Sequence, residues 1–196
     1  MQGIKCVVVG DHKVGKTKMI VSFTKDLRRT APTHFELHHG CVRMENGDAV
    51  ELNICDTVNI AGSGYDDELR KLPYIGSDYV LMCFAINSIK SFNNVTKKWL
   101  PEVRENCPNG KIILVGTKSD KRGGKKRKKL VPQSQAKDLC VRLNAIGYSE
   151  CSGSSGDGVN EVFQQIAQDL QSGSSSRSKR RSRSKKWRRS IAKIFN

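Results

Sequence analysis

The feature that most constrains this chain is a glycine-rich loop placed directly after an apolar run near its start. Residues 10–17 read Gly-Asp-His-Lys-Val-Gly-Lys-Thr, which fits the pattern G-x-x-x-x-G-K-T, and residues 4–9 before them are mostly apolar. A strand that leads into such a loop and then into a helix surrounds a phosphate with backbone N–H groups. A chance Gly-Lys-Thr in an ordinary loop is the alternative, but the preceding strand argues against it. The chain is therefore expected to bind a phosphorylated ligand.

The residue types of this loop predict how the phosphates are held. Gly10 and Gly15 allow the backbone to turn tightly, so that successive N–H groups face one point. Lys16 is expected to direct its charge toward the β- and γ-phosphates, and Thr17 to offer its hydroxyl to Mg²⁺. The remaining predicted contacts are Asp11, His12, Lys13, Val14 and Lys18. Of these, His12 and Lys13 are bulky residues at the positions nearest the reacting phosphate.

The order of predicted elements indicates an α/β fold. Strand-like runs occupy residues 4–9, 40–44, 50–55, 79–86, 111–116 and 147–150, and helical periods occupy 16–24, 91–105, 132–143 and 159–170. The tetrapeptide at 45–48, Glu-Asn-Gly-Asp, favours a hairpin turn because Asn-Gly readily adopts positive φ. Alternation of strands and helices elsewhere predicts a mostly parallel six-stranded sheet with helices on both faces. Ligands of such sheets bind beyond the carboxyl ends of the strands.

Charge divides the chain into a body and a tail. The net charge is +16, of which ten basic residues lie in 172–196 and seven in 121–129, so the rest of the chain is close to neutral. A solvated loop is the simple interpretation of 121–129. From residue 171 onward the composition is dominated by Ser, Gly, Arg and Lys, which cannot form a core. We expect one folded domain at 1–171 and a polybasic tail at 172–196, disordered or amphipathic.

Cysteine usage and the absence of a targeting pattern bear on location. The chain has seven cysteines, an odd number that does not favour a disulfide framework. Cys6, Cys41, Cys55 and Cys83 lie in or beside apolar strand-like runs, as buried free thiols do. No leader pattern follows Met1, and no apolar run reaches the roughly 18 residues that span a bilayer. These features predict the cytoplasm, the nucleus or the inner face of a membrane.

A second motif, Gly116-Thr117-Lys118-Ser119-Asp120, follows the strand-like run 112–115. Further marks are Thr33 after Ala31-Pro32, Asp56-Thr57 at the end of the third predicted strand, and the triplet Glu150-Cys151-Ser152. Together with the phosphate loop, these motifs resemble the Rho family of small GTPases over about residues 3–171. The resemblance implies the P-loop small-GTPase fold, GTP or GDP as the ligand, and Mg²⁺ as the cofactor.

The resemblance also implies roles for single residues at the base. Asp120 would accept hydrogen bonds from the guanine N1 and exocyclic amine, which selects guanine over adenine. Lys118 would lie along the base plane, and Thr117 stands where the wider superfamily more often has Asn. Ser152 and Gly153 would place backbone N–H groups near the guanine O6.

The same resemblance assigns the metal side of the site. Thr33 would bind Mg²⁺ only when a γ-phosphate is present, which orders the first switch segment. Asp56 would hold a water ligand of Mg²⁺. Effector proteins would bind the two switch segments, around Thr33 and Gly62.

Two departures from the family pattern concern hydrolysis. The family has glycine in place of His12, because a side chain there crowds the attacking water and an incoming arginine finger. The family also reads Asp-Thr-Ala-Gly-Gln where this chain has Asp56-Thr57-Val58-Asn59-Ile60-Ala61-Gly62-Ser63. If 58–60 are inserted, Ser63 replaces the glutamine that orients the water; without an insertion, Ile60 replaces it. Either alignment predicts a loss of roughly 10³-fold or more in rate.

The first switch segment also departs from the family. Thr17 and Thr33 are 16 positions apart, which is fewer than usual, and the aromatic residue that covers the guanine has no counterpart closer than Leu27. A lost contact of this kind weakens binding by about 1 to 3 kcal/mol, so fast nucleotide exchange is a further expectation. His34, His38 and His39 could converge on zinc, but exposed switch histidines are the simpler interpretation.

The tail lacks the prenylation signal that the family usually carries. The chain ends Lys193-Ile194-Phe195-Asn196 and has no cysteine after Cys151. An apolar stripe at helical spacing among basic residues is typical of an interfacial helix on anionic lipid, or of a calmodulin target. Its members are Trp187, Ile191, Ile194 and Phe195. The Ser-Arg alternation at 177–184 also fits nuclear import or nucleic-acid contact, and a solubilising tail is the simplest alternative.

These observations lead to two functional hypotheses. The first is an atypical Rho-like GTP-binding signalling protein that is deficient in hydrolysis, stays GTP-bound and influences actin through effectors. The second is a pseudo-GTPase scaffold with weak control by nucleotide. Both predict that His12 obstructs catalysis and that no residue, Ser63 included, supplies the missing glutamine.

Overall fold

The computed structural model describes residues 3–25, 36–57, 71–123 and 130–173. Its strands are β1 (Ile4–Gly10), β2 (Glu36–Arg43), β3 (Ala49–Asp56), β4 (Tyr79–Ala85), β5 (Lys111–Thr117) and β6 (Gly147–Cys151). Its helices are α1 (Lys16–Thr24), α2 (Ile89–Asn94), α3 (Leu100–Asn106), α4 (Gln133–Arg142) and α5 (Val159–Ser172). A π-helical turn, Val95–Trp99, joins α2 to α3, and short 3₁₀ turns lie at Leu72–Tyr74 and Ser119–Gly123.

One sheet holds all the described strands, in the order β2-β3-β1-β4-β5-β6. Only β2 and β3 run antiparallel, and their hairpin turns at Gly47, which has a φ of +85°. The other neighbouring pairs are parallel. The predicted fold class, a mostly parallel six-stranded sheet with helices, is therefore confirmed.

Two hydrophobic cores lie on opposite faces of this sheet because successive strand residues point in opposite directions. Cys6 and Val8 of β1 pack into the core beneath α1 and α5, whereas Val7 and Val9 pack into the core beneath α2, α3 and α4. Central strands buried on both faces read as continuous apolar runs. This arrangement directs the loops after β1, β3, β5 and β6 to one edge, where the predicted binding motifs lie.

Most element boundaries differ from the sequence prediction by one or two residues, and the largest difference lies at the start of β2. β2 begins at Glu36 rather than at 40, because inward-facing Glu36 and His38 alternate with outward-facing Leu37 and His39. Because the inward-facing residues are polar, a search for alternating hydrophobic residues does not recognise this part of the strand. The helix predicted at 91–105 extends from Ile89 to Asn106 and contains the π-helical turn.

Two burial expectations also need correction. Cys41 is exposed, because it faces outward on β2, the strand at the edge of the sheet. His38, expected to be an exposed switch residue, is only 4% exposed and lies opposite Ile54 of β3. His39 is exposed, and His34 lies outside the described residues.

The described parts of the chain contain neither a metal-binding cluster nor a membrane-spanning helix. Across 3–25, 36–57, 71–123 and 130–173, no group of three or more His, Cys, Asp or Glu could hold a metal ion. None of the helices within these ranges is long and apolar enough to cross a bilayer.

Candidate functional site

The phosphate loop follows β1 directly and ends at the first residue of α1. Gly10 is the last residue of β1, and Gly15 precedes α1 with a φ of +111°. Lys13 also has a positive φ, +60°, which is uncommon for a residue with a side chain and clusters at functional sites. His12 and Lys13 are exposed, whereas Val14 is buried. The loop thus presents its two bulky residues outward while its second half is anchored in the core.

Lys16 carries its charge inside this loop. Its Nζ donates hydrogen bonds to the main-chain oxygens of Gly10, at 2.8 Å, and Asp11, at 3.1 Å. The residue is only 6% exposed, and burial lowers its pKa, while the charge of Asp56 acts in the opposite direction. A buried ammonium at a loop of backbone donors is suited to phosphate oxygens.

Asp56 supplies the acidic side of the site. It ends β3, is fully buried, and neither carboxylate oxygen has a hydrogen-bond partner within the described parts of the chain. Burial raises its pKa to about 6, and the neighbouring Thr17 hydroxyl and Lys16 ammonium act against that rise. An unpartnered buried carboxylate costs free energy unless it meets a cation or a donor.

This chemistry fits the Mg²⁺ that the resemblance implies. Carboxylate and hydroxyl oxygens are hard ligands of the kind that Mg²⁺ selects, and Mg²⁺ retains several of its waters. Thr17 and Asp56 are the described residues that would hold the ion, and a bound ion would supply positive charge to offset the charge of the β- and γ-phosphates. Thr33, the other predicted ligand, lies outside the described residues.

Thr117 connects the phosphate loop to the predicted base site. It ends β5 and is 2% exposed, and its hydroxyl lies 2.6 Å from the oxygen of Val14 and 3.0 Å from that of Phe84. One hydroxyl can donate to only one of these oxygens at a time. The side chain therefore fixes the loop against the ends of β4 and β5.

A cleft of about 260 Å³ opens beside Thr117. Its walls include seven of the residues predicted to bind nucleotide: Gly15, Lys18, Thr117, Lys118, Asp120, Ser152 and Gly153. Three residues that were not predicted complete the lining: Asn87, Lys121 and Ser154. The structure therefore brings the phosphate loop and the two predicted base loops to one concave surface. Lys118 has a φ of +62°, a strained conformation for lysine, and its Cε lies 4.0 Å from where a Cβ on Gly15 would stand.

Asp120 lies at the mouth of this cleft and is held as a carboxylate. Its Oδ1 accepts a 2.9 Å hydrogen bond from the Ser152 hydroxyl, and its Oδ2 lies 2.8 Å from Lys121 Nζ. The hydrogen bond from Lys121, followed by that from Ser152, lowers the pKa of Asp120. An ionised carboxylate only accepts hydrogen bonds, which suits the N–H groups of guanine.

The loop after β6 approaches α1 closely at Gly153. A Cβ on Gly153 would stand 2.6 Å from the carbonyl carbon of Lys18 and from the nitrogen of Met19. Beside this contact, Lys18 Nζ donates to the Ser154 hydroxyl at 3.1 Å. Glycine is therefore required here so that the base loop can rest on the start of α1.

An ion pair and its hydrogen bonds stabilise the two predicted base loops, which follow β5 and β6. Arg122 donates two hydrogen bonds to Glu150 and a third, of 3.0 Å, to the oxygen of Val131, while the Tyr148 hydroxyl also donates to Glu150. Burial alone would raise the pKa of Glu150, but the hydrogen bonds from Arg122, Tyr148 and Gln133 outweigh it and hold the pKa low. The cluster joins the 3₁₀ turn that contains Asp120 to β6, the strand that precedes Ser152.

Sequence reasoning missed two residues that hold the phosphate loop. Asn94 Nδ2 and Trp99 Nε1 donate to the two carboxylate oxygens of Asp11, at 2.7 and 2.8 Å. Helical spacing within 91–105 places Trp99 on the apolar face of its segment and does not reveal this contact. The available signal was the indole N–H itself, because a buried tryptophan usually places that group against an acceptor.

The sequence-predicted residues of the switch segments cannot be placed in this way. Thr33, Gly62 and Ser63 lie outside the described residues, as does the alternative Ile60. The basic residues at 125–129 and the tail from 174 onward also lie outside them.

A comparison with protein-family models agrees with this geometry. A model described as the Ras family matches residues 5–172, which is most of the chain. The match includes all six described strands apart from Ile4, and the loops predicted to bind phosphate, metal and base. This protein therefore belongs to the Ras family, the small GTPases that bind guanine nucleotides.

Proposed function

We propose that this GTP-binding protein is a Rho-like signalling GTPase that hydrolyses GTP negligibly and remains in its GTP-bound form. The observation that carries the proposal is the placement of His12. It lies exposed at the turn of the phosphate loop, between Asp11, whose carboxylate is held by two hydrogen bonds, and Lys13 in its left-handed conformation. The Rho-like resemblance supports the proposal further, because it implies that a side chain at this position crowds the attacking water and an arginine finger.

The sequence of the second switch supports the same proposal. No glutamine follows Asp56-Thr57, so the group that orients the attacking water is missing. Retained binding of nucleotide is supported, in contrast, by the cleft that Thr117, Asp120 and Ser152 line together. Binding is thus retained while two separate contributions to hydrolysis are lost.

Single-turnover phosphate release from the GTP-loaded full chain tests this proposal. We expect a rate well below the value on the order of 10⁻⁴ s⁻¹ that is typical of an intrinsic small-GTPase reaction. H12G alone should restore little, because the glutamine is still missing, whereas H12G combined with S63Q should restore more. If H12G with I60Q is the faster pair, the alignment without an insertion is correct. Unmodified protein that releases phosphate at the typical rate contradicts the proposal.

The Rho-like motifs lead us to propose that the GTP-bound protein acts on actin through effectors that bind around Thr33 and Gly62. Expression of the full chain should change filamentous actin staining. A D120A variant that cannot hold guanine should not. An equal effect of both proteins would favour the second candidate, a pseudo-GTPase scaffold whose partners bind regardless of nucleotide.

We also propose that the polybasic tail places the protein on the cytoplasmic face of a membrane. The proposal is supported by ten basic residues in 172–196 and by the spacing of Trp187, Ile191, Ile194 and Phe195. Each basic residue near an anionic surface contributes about 1 kcal/mol. A fluorescent fusion of the full chain should label the cell rim, and replacement of the four apolar residues by Ser should release it. Nuclear accumulation of the unmodified fusion contradicts this and favours import or nucleic-acid binding, whereas calmodulin capture without vesicle binding favours the calmodulin alternative.

A further inference from the structure

A π-helical turn brings two polar side chains of one helical segment onto the same carboxylate. In an α-helix each residue turns by about 100°, so residues five apart point roughly 140° away from each other. Asn94 and Trp99 are five apart, yet both donate to Asp11, one to each oxygen. The turn Val95–Trp99 carries the i to i+5 hydrogen bond, from Leu100 N–H to Val95 O, which adds a residue to the turn and narrows that angle.

The contact on Asp11 is partly buried, and its Trp99 side is closed to water. Trp99 is 5% exposed, and its neighbours Val95 and Val103 are fully buried in the core between the helices and the sheet. Lys98 Nζ lies 4.5 Å from the centre of the Trp99 ring and covers its outer face. Hydrogen bonds to a charged acceptor are stronger than neutral ones.

The hydrogen bonds to the Asp11 carboxylate also restrict the part of the loop that is predicted to bind phosphate. While its carboxylate is held by the helix, its main-chain oxygen accepts from Lys16 Nζ at 3.1 Å and from the Val14 N–H at 3.4 Å. A loop held at Asp11 and, through Thr117, at Val14 is preorganised, so nucleotide binding requires less ordering of the backbone. π-Helical turns within α-helices often occur at functional sites.

We propose that Asn94 and Trp99 are positioning residues of the nucleotide site: by holding the Asp11 carboxylate, they fix the phosphate loop and slow the release of guanine nucleotide. The inference rests on nucleotide binding and is independent of the proposed loss of hydrolysis. It also makes Trp99 a reporter of the phosphate loop, because a change at Asp11 alters the polarity around its indole N–H.

Release of fluorescently labelled GDP from the full chain measures the positioning effect. W99F keeps most of the ring packing but removes the N–H donor, and N94A removes a half-buried amide with little loss of packing. Each should speed release by about 10-fold. The matched control is T96A, which removes a hydrogen bond of the same helical segment, to the oxygen of Asn93, without touching the loop. If N94A and W99F release GDP as slowly as T96A, the proposal is wrong.

A double-mutant cycle separates positioning from packing. In a D11A background, W99F and N94A should add less than twofold, because the shared acceptor is already gone. If the effect of W99F on the release rate multiplies in full with that of D11A, Trp99 acts only by filling the core, and the proposal is wrong.

A spectroscopic measurement gives a readout that packing alone would not produce. The chain has two tryptophans, so W187F leaves Trp99 as the only one. Its emission should differ between the nucleotide-free and the GDP-bound protein, and D11A should remove that difference. Emission that ignores nucleotide, or that responds equally in D11A, contradicts the inference. A chain that binds no nucleotide contradicts both this inference and the proposed function, whereas unchanged release rates in a nucleotide-bound chain contradict this inference alone.

Discussion

The buried hydroxyl of Thr117 lies 2.6 Å from the main-chain oxygen of Val14 and so joins the end of β5 to the phosphate loop. The two residues are separated by 103 positions in the chain. On one side of this contact lie the residues predicted to hold phosphate, and on the other Lys118 and Asp120, which are predicted to hold the base. The contact fixes the distance between these two halves of the nucleotide site.

Replacing Thr117 by valine tests this link. T117V keeps the shape of the side chain but leaves the oxygens of Val14 and Phe84 without their donor, so nucleotide release should become about 10-fold faster. T117S is the matched control, because it keeps the hydroxyl, and its release rate should stay near that of the unmodified protein. Equal release from the two variants would show that the hydroxyl contributes nothing to the site.

Asp120 should determine which base is bound. D120N replaces an acceptor by an amide N–H that faces the exocyclic amine of guanine, so GTP affinity should fall by at least about 100-fold. Xanthine carries an oxygen in place of that amine and should bind the variant better than guanine does. The measurement is competition between the two nucleotides for the purified protein.

The control for this change is D157N, an exposed acid of the loop after β6 that does not line the cleft. Its preference for guanine should be unchanged. A D120N protein that still prefers guanine would place the base elsewhere in the cleft.

Glu150 should contribute stability that depends on pH. Its folded-state pKa is held low, so the unfolded chain binds more protons in the acid range, and the unfolding free energy falls as pH falls through and below the ordinary glutamate value. E150Q should lose about 1 to 3 kcal/mol at neutral pH, because Arg122 and Tyr148 lose their charged acceptor. It should also show a flatter decline on acidification.

Chemical denaturation of the two proteins at neutral and acidic pH measures this difference. E51Q serves as the control, because Glu51 is an exposed acid on β3. If E51Q and E150Q follow the same acid profile, the low pKa of Glu150 does not contribute to stability.

Much of the fold could be predicted because local and global signals agree. The phosphate-loop motif determines where β1 ends, and α1 was placed at 16–24, as found. The start of β2 could not be predicted, since Glu36 and His38 are polar residues that face inward. Their burial depends on pairing with β3, which no local pattern reveals.

The site was predicted less completely, for a related reason. Motifs identify residues that act through a fixed spacing, as Lys16 and Asp120 do. Asn94 and Trp99 hold Asp11 only because a π-helical turn rotates them together, and helical periodicity at 3.6 residues per turn gives no sign of such a turn. The motif shows Thr117 only as the residue that replaces Asn at the predicted base site. The contact between its hydroxyl and the main-chain oxygen of Val14 could not be predicted from the motif.

The central claim is that this chain holds GTP without converting it. The most direct measurement is the identity of the nucleotide released, on denaturation and chromatography, from the full chain purified rapidly from cells. The account predicts one equivalent of GTP for each protein. Bound GDP would show ordinary hydrolysis despite His12, and a site with no nucleotide would favour the pseudo-GTPase scaffold; either result contradicts the claim.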